Sequence, residues 1–418
     1  MKYISTRNNS KEHSFEEVFI KGLADDGGLF VPKSLKKFSN QQLNSMSKLS
    51  YQDLATKIIF PFIGDFMSEE ELSEIIQKSY SGFRKEQVVN LVQVRDINIL
   101  ELFHGPTLAF KDIAMQLLGN FYEYYLKKNN KNINVIVATS GDTGAAAIDA
   151  IKGKKNINIF VLHPNNKIST VQRKLMSTVK NRNVFNIAVE GNFDDCQNLV
   201  KSMFSEKEFS SSINMSGVNS INWARIIAQA VYYFYTYFLL KTDRSINFSV
   251  PTGNFGDVYA GYLSKKMGLP IDKLVVATNQ NDILHRAITK GQYETKTVIE
   301  TISPSMDIQI ASNFERLIYD LSNGNDKETN NIMTGIKKDG KFVISREKFS
   351  KIKKNFLSAS LSEDEVLNII KEVYEKDMII LDPHSAIGFG ALKKISLEGQ
   401  NIVLATAHPC KFPEATDK

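Results

Sequence analysis

A chain of 418 residues with 42% hydrophobic side chains can bury large cores and is long enough for two or three domains, so neither a disordered protein nor a small disulfide-stapled module is expected. Its 52 basic and 46 acidic residues leave a formal charge of +6, but the two signs are mixed along the chain; no basic arm singles out nucleic acid, and no nucleic-acid partner is expected. The two cysteines, Cys196 and Cys410, have neither metal-ligand spacing nor the density of a disulfide framework, which points to a reducing, cytoplasmic location and to no metal site.

Residues 1–14 lack the apolar stretch of a secretory signal. The run Asp25-Asp26-Gly27-Gly28-Leu29 reads as a turn. Residues 49–59 have helical periodicity, and Pro61 is expected to end that helix. Residues 69–80 place Leu72, Ile75 and Ile76 on one face and glutamates in the first turn, at the positive end of a helix.

From about Asn90 the pattern changes. Residues 133–138, 157–162, 184–189, 246–250 and 274–277 are short runs rich in Ile and Val, separated by segments able to form helices. That alternation predicts parallel sheet covered by helices, because a parallel strand is buried on both faces and needs a crossover connection. The apolar run 226–240 contains Gln229, follows Arg225 closely and is short for a membrane span; it reads as a buried helix, and no membrane partner is expected. Further on, 323–328 and 337–340 are polar breaks. Residues 363–375 read as a helix, with Ser362 as cap and Glu365 completing a capping box. A last strand at 402–405 leads into Thr406-Ala407-His408-Pro409.

Three loops carry the chemistry. Residues 135–138 feed Thr139-Ser140-Gly141-Asp142-Thr143-Gly144, and 248–251 feed Thr252-Gly253-Asn254-Phe255-Gly256-Asp257, each followed by a helix. Glycines let the backbone turn its N–H groups toward one anion, and the helix end adds a favourable field. Two such loops imply two phosphate or carboxylate groups held on the carboxyl side of one sheet. Neither has the spacing of a nucleotide P-loop or a dinucleotide fingerprint. The third segment, Phe103 to Asp112, precedes a helix expected over 113–127. There Lys111 adjoins Phe110 near the helix start, where desolvation and backbone dipoles would lower its pKa and make its amine a nucleophile; an exposed lysine is the alternative. His104 reads as a structural histidine, and Gln116 and Asn120 as a solvated helix face.

These motifs, in this order, together with Asp382-Pro383-His384-Ser385-Ala386-Ile387-Gly388, resemble those of the threonine synthase family, fold-type II pyridoxal phosphate enzymes. The resemblance implies an α/β fold of two parallel or mixed-sheet lobes with an N-terminal mainly helical domain. The implied division is 1–90 for that domain, 91–245 for the lobe carrying Lys111 and the 139–144 loop, and 246–418 for the lobe binding the cofactor phosphate, with the chain crossing between lobes. It implies Lys111 as the catalytic lysine that bonds pyridoxal 5'-phosphate, Thr252, Gly253, Asn254, Phe255 and Gly256 as the cofactor-phosphate loop, and Thr406 opposite the pyridine nitrogen. Ser140, Gly141, Asp142, Thr143 and Gly144 would form the loop approaching cofactor and substrate, with the contact of Asp142 left open; Asn313 and Arg316 are further substrate-site candidates. The implied reaction is a carbon–oxygen lyase step turning O-phospho-L-homoserine and water into L-threonine and phosphate, the last step of threonine biosynthesis. The opening residues and the turn at 26–29 are similar to the longer bacterial and fungal type, which implies a monomer with no S-adenosylmethionine activation region. A threonine dehydratase or cysteine synthase relative, and a noncatalytic relative that binds a phosphorylated metabolite, are the alternatives.

Overall fold

The computed structural model describes residues 1–165 and 168–417. Short polar side chains start the N-terminal helices. Ser14, Ser39 and Ser68 each accept a bond from the backbone three residues on, and Glu17, Gln42 and Glu71 return one, so Phe15–Lys21, Asn40–Met46 and Glu69–Tyr80 all begin in capping boxes. The helix Tyr51–Ile63 passes through Pro61 instead of stopping before it. Proline removes one N–H and the bond it would make, but Phe62 and Ile63 are buried and hold the last turn in place. The chain turns only at Gly64, whose φ of +59° suits glycine.

Beyond residue 90 two large sheets form, as the alternation predicts, beside a small antiparallel pair, Gln292–Glu294 with Lys341–Val343. One has four parallel strands in the order Val184–Val189, Ile157–Pro164, Ile133–Ala138, Met215–Ser216. The other has six, in the order Phe356–Ser360, Ile271–Thr278, Ile246–Pro251, Gln400–Ala405, Ile97–Glu101, Asn90–Val94; only the last pair is antiparallel. Residues 90–101 therefore belong to the sheet of the C-terminal half, not to the sheet that carries the 139–144 loop.

The lysine helix, Lys111–Asn129, packs on the N-terminal helices. Phe121 lies edge-on to Phe15, Phe19 and Phe66, with ring centroids 5.9, 6.1 and 5.9 Å away. Asn120 on this helix is buried: its amide donates to Ser79 and its carbonyl accepts from Lys154, while Gln116 donates to Asp149. The solvated-face expectation thus fails at Asn120, because a second helix and a lysine cover it. The helix Trp223–Leu240 is buried along most of its length, and among the described residues no helix is long and apolar enough to cross a membrane.

Both expected polar breaks are narrower than their sequence. The helix Asp326–Asp339 starts from the Asn325 cap, so Asp326 to Glu328 are its first turn; Lys337 to Asp339 are its last, where lysines suit the negative helix end, and Gly340 alone stops it. The box at Ser362 and Glu365 forms as expected, at 3.3 Å and 2.8 Å, and opens Glu363–Asp377. Ser362→Ala is expected to cost about 1 kcal/mol, read as a lower urea midpoint with unchanged slope.

Candidate active site

The 139–144 and 252–257 loops leave the carboxyl ends of two different sheets, which corrects the expectation of one. Both open on a single cavity of about 1280 Å³, large enough for a cofactor and a substrate together. Lys111, Arg225 and Thr406 also line it.

Lys111 is the first residue of its helix, and three contacts fix the loop before it. Buried Asp112 accepts from the Thr107 N–H at 2.8 Å and its hydroxyl at 2.5 Å. Burial pushes the Asp112 carboxyl up to about 6 even though these bonds pull it down. The Phe110 N–H donates to the Thr406 carbonyl and the His408 N–H to that of Leu108, pinning the loop to the end of the last strand. The Lys111 side chain is 11% exposed, its Nζ lying 3.5 Å from Asp142 Oδ2 and 4.9 Å from the Phe110 ring centre. Burial lowers its pKa; Asp142 opposes this, while Lys411 and Arg225 add to it.

In the 139–144 loop, the Thr139 hydroxyl oxygen accepts from the N–H groups of Gly141 and Gly144 at 2.9 and 2.8 Å and so sets the turn. Ser140, Asp142 and Thr143 reach the cavity wall; Gly141 and Gly144 shape the loop behind it. Asp142 accepts from Gln172 at 2.9 Å and Lys411 at 2.6 Å. Burial alone would raise its pKa, but Lys411 and Lys111 together hold it well below the usual carboxylate range.

The 252–257 loop lies on the opposite sheet. Phe255 takes a φ of +64°, costly for a non-glycine residue, and its ring is wedged against Phe314 and Phe356. The helix Gly256–Lys266 that follows has no side-chain cap, so its first N–H groups are free for an anion. Asn254, Gly253 and Gly256 line the cavity with Thr252, whose hydroxyl donates to the Val250 carbonyl at 2.5 Å and spends its proton inside the strand. Thr406 is buried at the wall; its N–H donates to Ser385, which bonds in turn to Asp382.

Asn313 and Arg316 are not among the cavity's walls. Arg316 is completely buried, donating to the Phe30 carbonyl at 3.1 Å, the Ile221 carbonyl at 2.6 Å and the Asn313 side chain, with its guanidinium over the Trp223 ring. It joins the N-terminal strand to the 219–222 loop, and Asn313 braces the backbone of Asn254. His104 pairs with Glu101 at 2.9 Å, a structural contact.

Three further residues at the site, Arg225 and His384 on the cavity wall and Lys411 behind it, have no role assigned from the sequence. Arg225 is buried in the first turn of its helix; burial pulls its guanidinium down to about 10, still charged at neutral pH. Its Nε, and Oε1 of Gln229 one turn on, have no partner among the described residues. Lys411, completely buried, meets Asp142 from behind. His384 accepts from the Ser305 N–H through Nε2 and bonds Asp382 through Nδ1. Arg225 ahead of an apolar helix was a visible signal, and His384 lies in the 382–388 motif without a role of its own; nothing local marks Lys411.

Comparison with known proteins agrees with this geometry. A family model described as threonine synthase N terminus matches residues 2–80, and one described as pyridoxal-phosphate dependent enzyme matches 90–406. A threonine synthase of Pseudomonas aeruginosa is 44% identical over 100% of this chain and 90% of its own length; that of Saccharomyces cerevisiae is 45% identical over 99% and 88%. The crystal structure of threonine synthase from Brucella melitensis with bound pyridoxal phosphate superposes with a TM-score of 0.97 at 45% identity, covering 100% of this chain and 90% of that one. The Escherichia coli threonine synthase gives 0.85 at 32% identity, with the same coverage. Similarity of this extent, running through both the helical N-terminal part and the two-sheet body, leaves one conclusion: the chain belongs to the threonine synthase family of fold-type II pyridoxal phosphate enzymes.

Proposed function

We propose that this chain converts O-phospho-L-homoserine and water into L-threonine and inorganic phosphate, with Lys111 as the residue that bonds the cofactor and moves protons on the substrate. One observation carries the assignment of roles: a buried lysine with a lowered pKa shares its cavity with a glycine-lined, uncapped helix start.

The residues fit pyridoxal phosphate. A Cβ on Gly253 would lie 2.9 Å from the Ser305 carbonyl oxygen and 3.3 Å from the Met306 Cα, so the loop can lie this close to its neighbour only as glycine. Gly253, Asn254, Phe255 and Gly256 would hold the phosphate by backbone N–H groups, with the helix field favouring its charge. Thr406 would partner the ring nitrogen with a neutral hydroxyl, which does not enforce ring protonation. Gly253→Ala, which must displace backbone, is expected to weaken cofactor binding about tenfold or more, measured by titrating the cofactor-free protein with pyridoxal phosphate and following absorbance.

Pyridoxal phosphate, when bound, supplies an electron sink for the amino-acid substrate. Lys111 is tethered in the cavity, and burial lowers its pKa, which makes the amine a readier base and acid for protons at the α and β carbons. Arg225, charged and short of a partner, supplies a second anion site for the phosphate that leaves the γ carbon, with Ser140 and Thr143 as hydroxyl donors. Loss of that phosphate and addition of water at the β carbon balance the reaction.

The deciding assay measures phosphate and threonine from O-phospho-L-homoserine beside ammonia from threonine or serine. Equal amounts of phosphate and threonine are expected. Ammonia release without phosphate release would assign the chain to the dehydratase reaction instead.

A further inference from the structure

Lys411 has no part in the roles assigned so far, yet it is a fully buried cation beside the cofactor-bonding amine. It ends the short turn Pro409–Lys411, and its Nζ lies 2.6 Å from Asp142 Oδ1 and 2.9 Å from the Thr107 carbonyl. Its own carbonyl accepts from the Ser169 hydroxyl at 3.1 Å, just before the helix Thr170–Ser177 that supplies Gln172. Asp142 is thereby divided. Its Oδ1 serves Lys411 and Gln172 at bonding distance, while its Oδ2 stands 3.5 Å from Lys111.

We propose that Lys411 is a positioning residue that occupies Asp142, so that Lys111 is left with a long, shared ion pair and gives up its proton readily. This rests on the reading of Lys111 as the cofactor-bonding lysine. A protonated amine is no nucleophile, and a lysine paired tightly with a buried carboxylate would stay protonated at neutral pH. Lys411 prevents that in two ways: it engages the carboxylate, and it repels a second positive charge nearby.

The charged groups around the pair all have a stated sense. Asp142 raises the Lys111 pKa, and Lys411 and Arg225 lower it. Asp257 feels Lys111 from the cofactor-phosphate helix but is held by the hydroxyls of Tyr232 and Tyr233. Asp112 feels Lys411 and is bonded to Thr107. Removing the Lys411 charge therefore leaves Lys111, among the described residues, as the one lysine facing Asp142, and the lost repulsion acts in the same direction. The folded-state pKa of Lys111 rises, and the pH at which its amine becomes free rises with it.

The test uses the full chain without cofactor. Acetylation of Lys111 by acetic anhydride is followed by mass spectrometry across a pH series. In Lys411→Met the labelling curve is expected to move to higher pH, with labelling near neutrality about tenfold slower than in the parent, the effect of a carboxylate no longer shared. Lys411→Arg, which keeps the charge, should label like the parent. A folded Lys411→Met with an unmoved curve overturns the proposal. Should that variant not fold, Lys411→Met/Asp142→Asn removes both members of the Lys411–Asp142 pair together; there Lys111, with no carboxylate to hold its proton, should label no more slowly than in the parent, and slower labelling would equally overturn it. Borohydride reduction of the cofactor-loaded parent followed by peptide mapping separates the two readings. An adduct on a lysine other than Lys111 removes the assignment of that residue, whereas an adduct on Lys111 with an unmoved curve removes only the role of Lys411.

Discussion

Lys111→Ala is expected to abolish the borohydride-fixed adduct between protein and pyridoxal phosphate and to lower phosphate release from O-phospho-L-homoserine about 10⁴-fold. Two losses combine. The covalent anchor disappears, and so does the tethered amine that burial makes easier to deprotonate. The fold should not suffer: the substitution removes a desolvated cation, and Asp142 keeps Lys411 and Gln172 as partners. Cofactor binding should persist in weakened form, because the 252–257 loop and its helix start are untouched. Reduction, peptide mapping and a phosphate assay on one preparation check all of this. Undiminished turnover would refute the role of Lys111, and an adduct that survives on another lysine would relocate the anchor.

Much of the fold was legible because parallel strands buried on both faces leave continuous apolar runs. Ile133–Ala138 ends where its run ends, and the fully buried Ile246–Pro251 extends one residue past its own. Asn90–Val94 and Phe356–Ser360 are edge strands that carry polar or small residues among the apolar ones, so no such run marks them. Pro61 misled for a related reason: proline weakens a helix locally, and the burial of Phe62 and Ile63 that outweighs it belongs to the tertiary structure. In the site, loops on adjacent residues were readable and convergence from afar was not. Asp142, Gln172 and Lys411 meet from three separate stretches of chain, and no local pattern joins them. Arg225 was in view, but as an argument against a membrane span; its orphaned Nε and its place in the cavity exist only in the folded chain.

The Arg225 guanidinium, bonded to the Val218 carbonyl at 3.1 Å but with its Nε unpartnered among the described residues, carries the second large prediction. A buried cation without an anion is costly, and burial has already drawn Arg225 down to about 10. An anion entering the cavity would offset this with charge-assisted bonds, each worth about 1.5–3 kcal/mol. Two anions have claims on it, the cofactor phosphate and the substrate phosphate, and on the proposed reading the uncapped start of Gly256–Lys266 would serve the first. Arg225→Met is therefore expected to raise the KM for O-phospho-L-homoserine about thirtyfold to a hundredfold, with pyridoxal phosphate affinity nearly unchanged. Stability should hold, since methionine fills the space without the charge. Steady-state kinetics and a cofactor titration on the same variant divide the possibilities. A KM effect alone places the substrate phosphate at Arg225, whereas weakened cofactor binding with an unaltered KM would mean that the guanidinium completes the 252–257 cradle and that the leaving phosphate is held elsewhere.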